Sequence, residues 1–497
     1  FRDLHVQHLA WFFRELQDSL ATWAPRTGEA PLTVLLTPGP YNETYFEHAY
    51  LARYLGFPLV EGQDLTVRRE CVYLRTLNGL RRVHAILRRL DDDYCDPLEL
   101  RGDSALGIPG LLQAVRAGNV LVANALGSGL LESAALPGFL PGACEKLLGE
   151  PLAMPSVATW WCGERAALEF TIEHLDELVI KGSYPSQRFD PIFGNELAGS
   201  QRDEMIARLR ARPQAYVAQE LVNFSQAPAW GTDGERRLLP RGVGLRVFVA
   251  ATPTGHVVMP GGLTRVAAVS NARIISMQRG GSSKDTWVLT EQAVNTFSLL
   301  KHSVGKADLV RGGRNLSSRV VENLFWFGRY AERCDKTSRL LRVALARLVD
   351  AGSDALPALI SALDLCRVLR LLPTDEPADS RAARKVVAKA PASRETQLLS
   401  AICGKEWGDG LAGDIHRLLW VGGQVRERFS VDNWHTINRL QLQLQRYSKA
   451  GEDGGGPDPG EALAFLDQVL LASSSLAGFA MDNMTRDDGW RFLIIGR

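Results

Sequence analysis

The sequence predicts an α/β domain and an α+β module followed by an all-α helical domain. Three observations carry this. Short β-rich runs alternate with helical stretches from Pro31 to about Trp161, hairpin-forming strands with one helix fill about Glu177 to Leu289, and after about Leu309 strands give way to helical periodicity. The 497 residues are 45% hydrophobic and 23% charged, a composition suited to ordinary packed cores in roughly two or three domains.

Taken in order, the start FRDLHVQHLAWFFREL mixes charge into an amphipathic pattern and does not read as a signal peptide. The chain opens on Phe1 rather than Met and closes on GWRFLIIGR inside an apolar periodic stretch, so it is expected to be a piece of a longer protein. The candidate strands TVLL (33–36), VHAIL (83–87) and VLVA (120–123) stop at the turns TPGPYNE, RRLDDDYCDP and NALGSG. Such alternation builds a largely parallel sheet, and ligands of such sheets bind outside the carboxyl ends of the strands. The three turns are therefore expected to face one crevice. In PYNETYFEH a helix begins, with Glu43 and Glu47 near its positive end and His48 as a structural histidine rather than a base.

The second module reads as ELVIK, a helix near 200–211, YVAQELV, and LRVFVAATPTGHVVMPGG with a hairpin turn at PTG. Beyond it, Val320, Leu324, Phe327, Ala331, Cys334, Ser338, Leu341, Leu345 and Leu348 alternate in steps of four and three, which makes one stripe along a helix over 317–349. Ser317 or Ser318 caps it, and Glu332 and Lys336 form an i,i+4 pair. The charged stretches 372–395 and 451–461 read as loops. Phe325-Trp326-Phe327-Gly328-Arg329 is echoed by Leu493-Ile494-Ile495-Gly496-Arg497, which points to a duplicated helical unit.

Lys+Arg of 57 against Asp+Glu of 56 leaves a net charge of +1, so no whole-chain field steers the protein to nucleic acid or an anionic membrane. No uninterrupted apolar run approaches the roughly 18 residues of a spanning helix, and a cytoplasmic location is expected. The seven cysteines are scattered without a C-x-x-C, which argues against a disulfide framework or a zinc site. HExxH, GxSxG and Walker A patterns are absent as well.

An anion must then meet a local pocket, and four features offer one. Lys181 ends the apolar strand LVI beside the loop GSYPSQRFDPIFGNELAGS, where its point charge suits nucleotide phosphates. An exposed strand-end lysine is the plain alternative. Gln219, Glu220, Leu221 and Val222 end a strand that offers donors and acceptors to a base and ribose. Gly280, Gly281, Ser282, Ser283 and Lys284, after Arg279, suit an anion nest or a polar hairpin turn. Arg246 and Arg265 lie on strands expected to be partly buried, where a phosphate, a carboxylate or an internal salt bridge must pair them. Arg88, Arg89, Asp91, Asp92 and Asp93 cluster past the VHAIL strand, either neutralising one another or recognising an acceptor, with Arg88 or Arg89 clamping a carboxylate.

The phrases LTPGPYNETYFEHAYLARYLGFPLVEGQDL, RRLDDDYCDPLELRGDSALGIPGLL, VLVANALGSGLLES, SVATWWCGE, LVIKGSYPSQRFDPIFG, VAQELV and QRGGSSKDTWVL together resemble the circularly permuted ATP-grasp proteins, over roughly residues 30–300. The remainder, beginning LSSRVVENLFWFGRYAERCDKTSRLL, resembles the alpha-E domain often fused to such modules. The resemblance implies residues 1–30 as the tail of an upstream segment, 31–165 as a pre-ATP-grasp-like domain, 166–305 as the nucleotide-binding domain and 310–497 as an incomplete alpha-E-like domain. It also implies ATP and Mg2+ as cofactors, and a ligase that phosphorylates a carboxylate and captures the acyl phosphate with an amine.

Carried over, Lys181 resembles the ATP-phosphate lysine, Gln219 to Val222 the adenine hinge, Arg246 and Arg265 the catalytic arginines, and Gly280 to Lys284 the glycine-rich lid. Asn124 and the cluster of Arg88, Arg89 and Asp91 would line the substrate side. In the family the acidic, Asn-bearing strand that holds magnesium lies upstream of the matched segment. No metal ligand is therefore assigned within this chain, and the chain alone is expected to be inactive. The expected partners are the carboxylate and amine substrates, with the helices as a possible protein-binding surface. The alternatives are a degenerate nucleotide-binding scaffold that recruits partners through those helices, or a kinase-like phosphotransferase.

Overall fold

The computed structural model describes residues 2–184, 187, 189–231, 237–269, 273–275, 280–295, 297–300, 316–350, 356–372, 393–403, 410–450 and 458–497. The chain divides into two compact units, each assembled from separate stretches. One comprises Phe1–Thr33, His84–Ala105 and Gly110–Lys301, the other Val34–Val83, Leu106–Pro109 and His302–Arg497.

In the first unit, the strand Ala85–Arg88 pairs in parallel with Leu121–Ala123, as the βα alternation requires. An antiparallel sheet follows in the order Ile192–Phe193, Leu178–Gly182, Tyr216–Glu220, Thr159–Trp161. Leu178, Val179 and Ile180 are an unbroken apolar run because both faces of this strand are covered: Ile180, Leu175, Leu209 and Ala218 are all fully buried. The helix Ser200–Ala211, placed as the periodicity expects, supplies Met205 and Leu209 to that core. A second antiparallel sheet runs Gln226–Trp230, Leu238–Arg246, Gly261–Val266, Ser282–Trp287. The PTG hairpin forms as Val249–Thr252 with Gly255–Val258, and Phe12 of the helix Ala10–Trp23 packs on its Ala250 and the adjacent Met259.

In the second unit, Thr33–Leu36 is buried at every position and pairs in parallel with Leu59–Val60. One element departs from the parallel expectation. Leu65–Arg68, Cys71–Thr76 and Gly79–Arg82 form an antiparallel meander. Its first turn is made by Arg69 and Glu70 at φ of 50° and 58°, so the residues there carry none of the Asn-Gly or Gly-Gly signature that marks a hairpin in sequence.

The helix Ser318–Val349 forms with Ser317 as its cap, the hydroxyl accepting from the Val320 N–H at 3.3 Å. Val320, Leu324, Phe327, Ala331, Cys334, Leu341 and Leu345 of the stripe enter one core with the helices Leu356–Val368, Arg394–Cys403, Gly410–Gln424, Val431–Ala450, Pro459–Asp482 and Asp488–Gly496. Glu332 pairs with Lys336 at 3.2 Å, as the spacing expects. Of the two stretches read as loops, 373–392 and 451–457 lie outside the described residues, while helices already begin at Arg394 and at Pro459, the latter capped by Asp458. Pro459–Asp482 is long and apolar enough to cross a membrane by length and composition, yet Phe465, Leu466, Val469 and Leu476 are spent on the bundle core. Among the cysteines, Cys95, Cys162, Cys334 and Cys366 are buried and all seven are free thiols.

The sequence echo has a physical counterpart. A Cβ on Gly328 would lie 2.1 Å from the Leu493 carbonyl oxygen, and one on Gly496 would lie 2.1 Å from the Phe325 carbonyl oxygen. Each glycine thus meets the residue three before the other, a reciprocal crossing in which backbone touches backbone. Gly328→Ala is expected to cost about 1–3 kcal/mol through overpacking, against its small gain in helix propensity. Thermal melts would show this as a lowered Tm; an unchanged or raised Tm would mean that the crossing yields without cost.

Candidate nucleotide-binding site

Lys181 and Gln219 belong to neighbouring antiparallel strands in the register Val217↔Lys181. Because side chains alternate along a strand, that register puts Lys181 and Gln219 on one face as diagonal neighbours. The Lys181 ammonium donates to Gln219 Oε1 at 2.6 Å. Gln219 is itself buried, and its Nε2 donates to the Ala134 carbonyl at 3.3 Å and to Thr159 Oγ1 at 3.2 Å. An amide held at both ends presents a fixed oxygen, which aims the ammonium. This Lys181 is not the freely exposed strand-end lysine of the plain alternative.

Burial pushes the Lys181 ammonium below the ordinary lysine pKa, and its hydrogen-bond partner is a neutral amide rather than a carboxylate. A partly desolvated cation without a counter-charge is stabilised by an incoming anion, which restores its pKa. ATP binding is therefore expected to take up protons on the alkaline side of neutrality, where the lowered ammonium begins to lose its proton. Calorimetry in two buffers of different ionisation enthalpy reads the uptake, and it should vanish in Lys181→Ala; equal uptake in both proteins would remove Lys181 from the site.

Gln219 corrects the hinge expectation in one respect. Its side-chain amide is committed to Lys181, Ala134 and Thr159. Glu220, exposed at the strand end, accepts from the Ala158 N–H at 3.3 Å, and Leu221 and Val222 follow beyond the strand. The Glu220 N–H already donates to the Ala158 carbonyl at 3.1 Å, so of the expected hinge only Leu221 and Val222 lie outside the strand pairing.

The substrate-side cluster is also more committed than expected. Arg88 donates to the carbonyls of Asn124 (2.7 Å), Leu90 (2.7 Å) and Ala125 (3.2 Å) and to Ser128 Oγ (3.0 Å), and it pairs with Asp92. Asp92 in turn accepts from the N–H groups of Gly127 (3.0 Å) and Gly129 (2.8 Å). Arg88 therefore holds the 124–129 turn and has no free fork for a substrate carboxylate. Arg89, Asp91 and Asn124 remain exposed.

That turn leads directly to the lysine strand. Ser133 Oγ donates to the Ser183 carbonyl at 2.8 Å and the Ala134 N–H to the same oxygen at 3.1 Å, while the Ala134 carbonyl takes the Gln219 amide. The segment 124–134 is clamped by Arg88 and Asp92 at one end and by Ser183 and Gln219 at the other. Ser133, Thr159 and Ser183 escaped the sequence reading because isolated hydroxyls in SGLLES, ATWW and KGSY have no spacing that announces a pairing.

The phosphate elements divide. Arg246 ends the strand Leu238–Arg246 and is exposed, contrary to the expected partial burial. Arg265 is half-buried, opposite Gly244 and Ser283, and its Nε is buried without a hydrogen-bond partner. The Gly244↔Arg265 register puts Arg246 and Arg265 on the same face of adjacent strands. The glycine-rich stretch is shorter than expected: only Gly280, at φ 78°, and Gly281 precede a strand that already includes Ser282, Ser283 and Lys284. Pairing of Ser282 with Val266 and Lys284 with Thr264 consumes the expected nest. Lys284, on the face opposite Arg265, donates to the Pro228 carbonyl. Arg279 lies outside the described residues.

The model of the family "Circularly permuted ATP-grasp type 2" matches residues 1–267. The chain belongs to that family. An Alpha-E model, described as a predicted alpha-helical domain with a conserved ER motif, matches residues 316–497. Within that stretch Glu-Arg pairs occur at Glu332–Arg333 and Glu427–Arg428; Arg333 pairs with Asp414 at 3.4 Å and Arg428 with Asp487 at 2.6 Å.

The chain is 33% identical to the uncharacterized protein Rv2567 of Mycobacterium tuberculosis over 98% of its own length and 54% of that protein's. It is 39% identical to Rv2411c of the same organism over 62% of this chain and 54% of the relative. With sll0335 of Synechocystis it shares 36% identity over 58% of this chain and 60% of the relative. The chain thus spans little more than half the length of these relatives.

ATP-grasp proteins of this type generally bind ATP and Mg2+. Among the described residues no three His, Cys, Asp or Glu side chains gather as a metal-holding group. The described residues therefore do not form a metal cage.

Proposed function

We propose that this chain provides the nucleotide and acceptor sites of an ATP-dependent carboxylate–amine ligase that forms a peptide-like bond. The observation that carries this reading is the Gln219-held Lys181, joined by hydrogen bonds through Ala134 to the turn that begins at Asn124. A phosphate-binding cation and an acceptor-facing turn in one hydrogen-bonded framework suit in-line phosphoryl transfer, which needs positioned charge more than covalent protein chemistry.

In the proposed sequence a carboxylate oxygen of the substrate attacks the γ-phosphorus of ATP, the bond to the β,γ-bridging oxygen breaks, and ADP leaves. The amine nitrogen then attacks the carbonyl carbon of the acyl phosphate, inorganic phosphate departs, and the nitrogen loses a proton to solvent. Lys181 holds the ATP phosphates, Arg265 and Arg246 face the transferring group, and the exposed Arg89, Asp91 and Asn124 orient the acceptor.

The test is ADP release with panels of carboxylates and amines, paired with mass spectrometry of the products on the longer protein. The expected result is ADP formed only when an acid and an amine are both present, with a condensed product. A stable phosphorylated product formed without amine would make the protein a phosphotransferase, and ATP binding with no substrate-dependent hydrolysis would make it a nucleotide-binding scaffold.

A further inference from the structure

We propose that an open groove within the second unit binds an acidic peptide segment carrying bulky apolar side chains, in trans from a partner protein. The groove, about 870 Å³, lies along the helix Tyr45–Leu55 and is closed by the turn Arg426–Arg428 and the start of the helix Val431–Ala450. Its size is ample for several side chains. Phe46, Tyr50 and Val431 are 69%, 56% and 69% exposed along it, which is apolar surface left facing water in the folded chain.

The charges in the groove decide the sign of the occupant. Arg428 is paired with Asp487 and so is already compensated, whereas Glu427 accepts at 2.8 Å from the buried Tyr45 hydroxyl, a neutral partner, and leaves one carboxylate to set against the remaining cations. Arg426 lies over the Trp434 ring at 4.6 Å with its guanidinium exposed, and Arg53 is exposed at the last turn of the helix Tyr45–Leu55. No carboxylate pairs with either among the described residues. His435, exposed in the same groove, adds no negative charge.

Two uncompensated guanidiniums flank an aromatic trough, and Trp, Tyr and Arg are the residue types that carry most energy at peptide and protein interfaces. Acidic side chains answer the arginines through charge-assisted hydrogen bonds, and aromatic or aliphatic ones cover Phe46, Tyr50 and Val431. This inference does not depend on the nucleotide chemistry of the first unit.

The test is isothermal titration calorimetry of the 497-residue chain with an unlabelled peptide of about ten residues alternating Asp or Glu with Phe or Leu. Two control peptides carry Lys in place of the acids or Ser in place of the apolar residues. Saturable binding is expected for the first peptide alone. The double substitution Arg53→Glu with Arg426→Glu should weaken it at least about tenfold in a variant that circular dichroism shows to be folded, and Phe46→Ser should weaken it separately. Equal affinity for the lysine peptide, full affinity in the arginine double variant, or no saturable binding at millimolar peptide would each overturn the proposal.

Discussion

Leu324→Asp should abolish the cooperative melting of the helical region or lower its Tm by roughly 10 °C or more. Leu324 is fully buried in the bundle core, and its Cδ1 would lie 2.8 Å from a Cβ placed on Gly489, so the final helix is packed hard against it. Replacing it removes a leucine's worth of burial and asks a carboxylate to lose its water without a partner, or to bind a proton. Lys336→Asp, on the opposite face with its side chain two-thirds exposed, removes two surface pairs and sets a like charge beside Glu332 and Asp335. That change should cost no more than about 0.5–1 kcal/mol. Circular-dichroism melts of the two variants separate the cases; equal shifts would mean that the stripe faces the wrong way.

Arg319→Ala should be the second most damaging change. Arg319, in the first turn of the helix Ser318–Val349, grips Asp64 through Nε at 2.9 Å and Nη2 at 3.0 Å and reaches Glu61 at 3.0 Å. Side-chain exposures of 16% for Arg319, 0% for Asp64 and 12% for Glu61 put all three charges nearly out of water. Removing the cation strands two carboxylates, and the usual cost of breaking a buried pair is about 3–5 kcal/mol. Arg319→Lys keeps the charge but not the two-pronged geometry, so it should recover only part of the loss. A urea titration measures both; a loss under about 1 kcal/mol for the alanine variant would mean that the triad is solvated like a surface pair.

The regular elements were legible because their causes are local. TVLL, the helix near 200–211 and the helix beginning after Ser317 each carry a periodicity and a boundary signal within a few residues, and the observed elements Thr33–Leu36, Ser200–Ala211 and Ser318–Val349 fall there. The hairpin at Arg69 and Glu70 was not legible, because its positive φ values sit on residues whose chemistry does not ask for them. Nor was the Arg319 triad: Glu61 and Asp64 lie more than 250 residues from Arg319, and no spacing rule links them. At the candidate site, residue types identified Lys181, but what aims it could not be read. The ammonium is oriented by a glutamine whose other end is held by Ala134 and Thr159, a relation created by strand register. Arg88 taught the converse lesson, since a cation in a dense polar cluster can be wholly absorbed by the turn it supports.

The most direct test of the central claim is a calorimetric titration of ATP into this chain and its Lys181→Ala variant. The account predicts saturable binding to the parent and a loss of about 1–3 kcal/mol, roughly five- to hundredfold in Kd, in the variant, with both proteins shown to be folded by circular dichroism. Identical affinities in the two proteins would contradict it, because ATP would then be held somewhere that the Lys181–Gln219 pair does not reach.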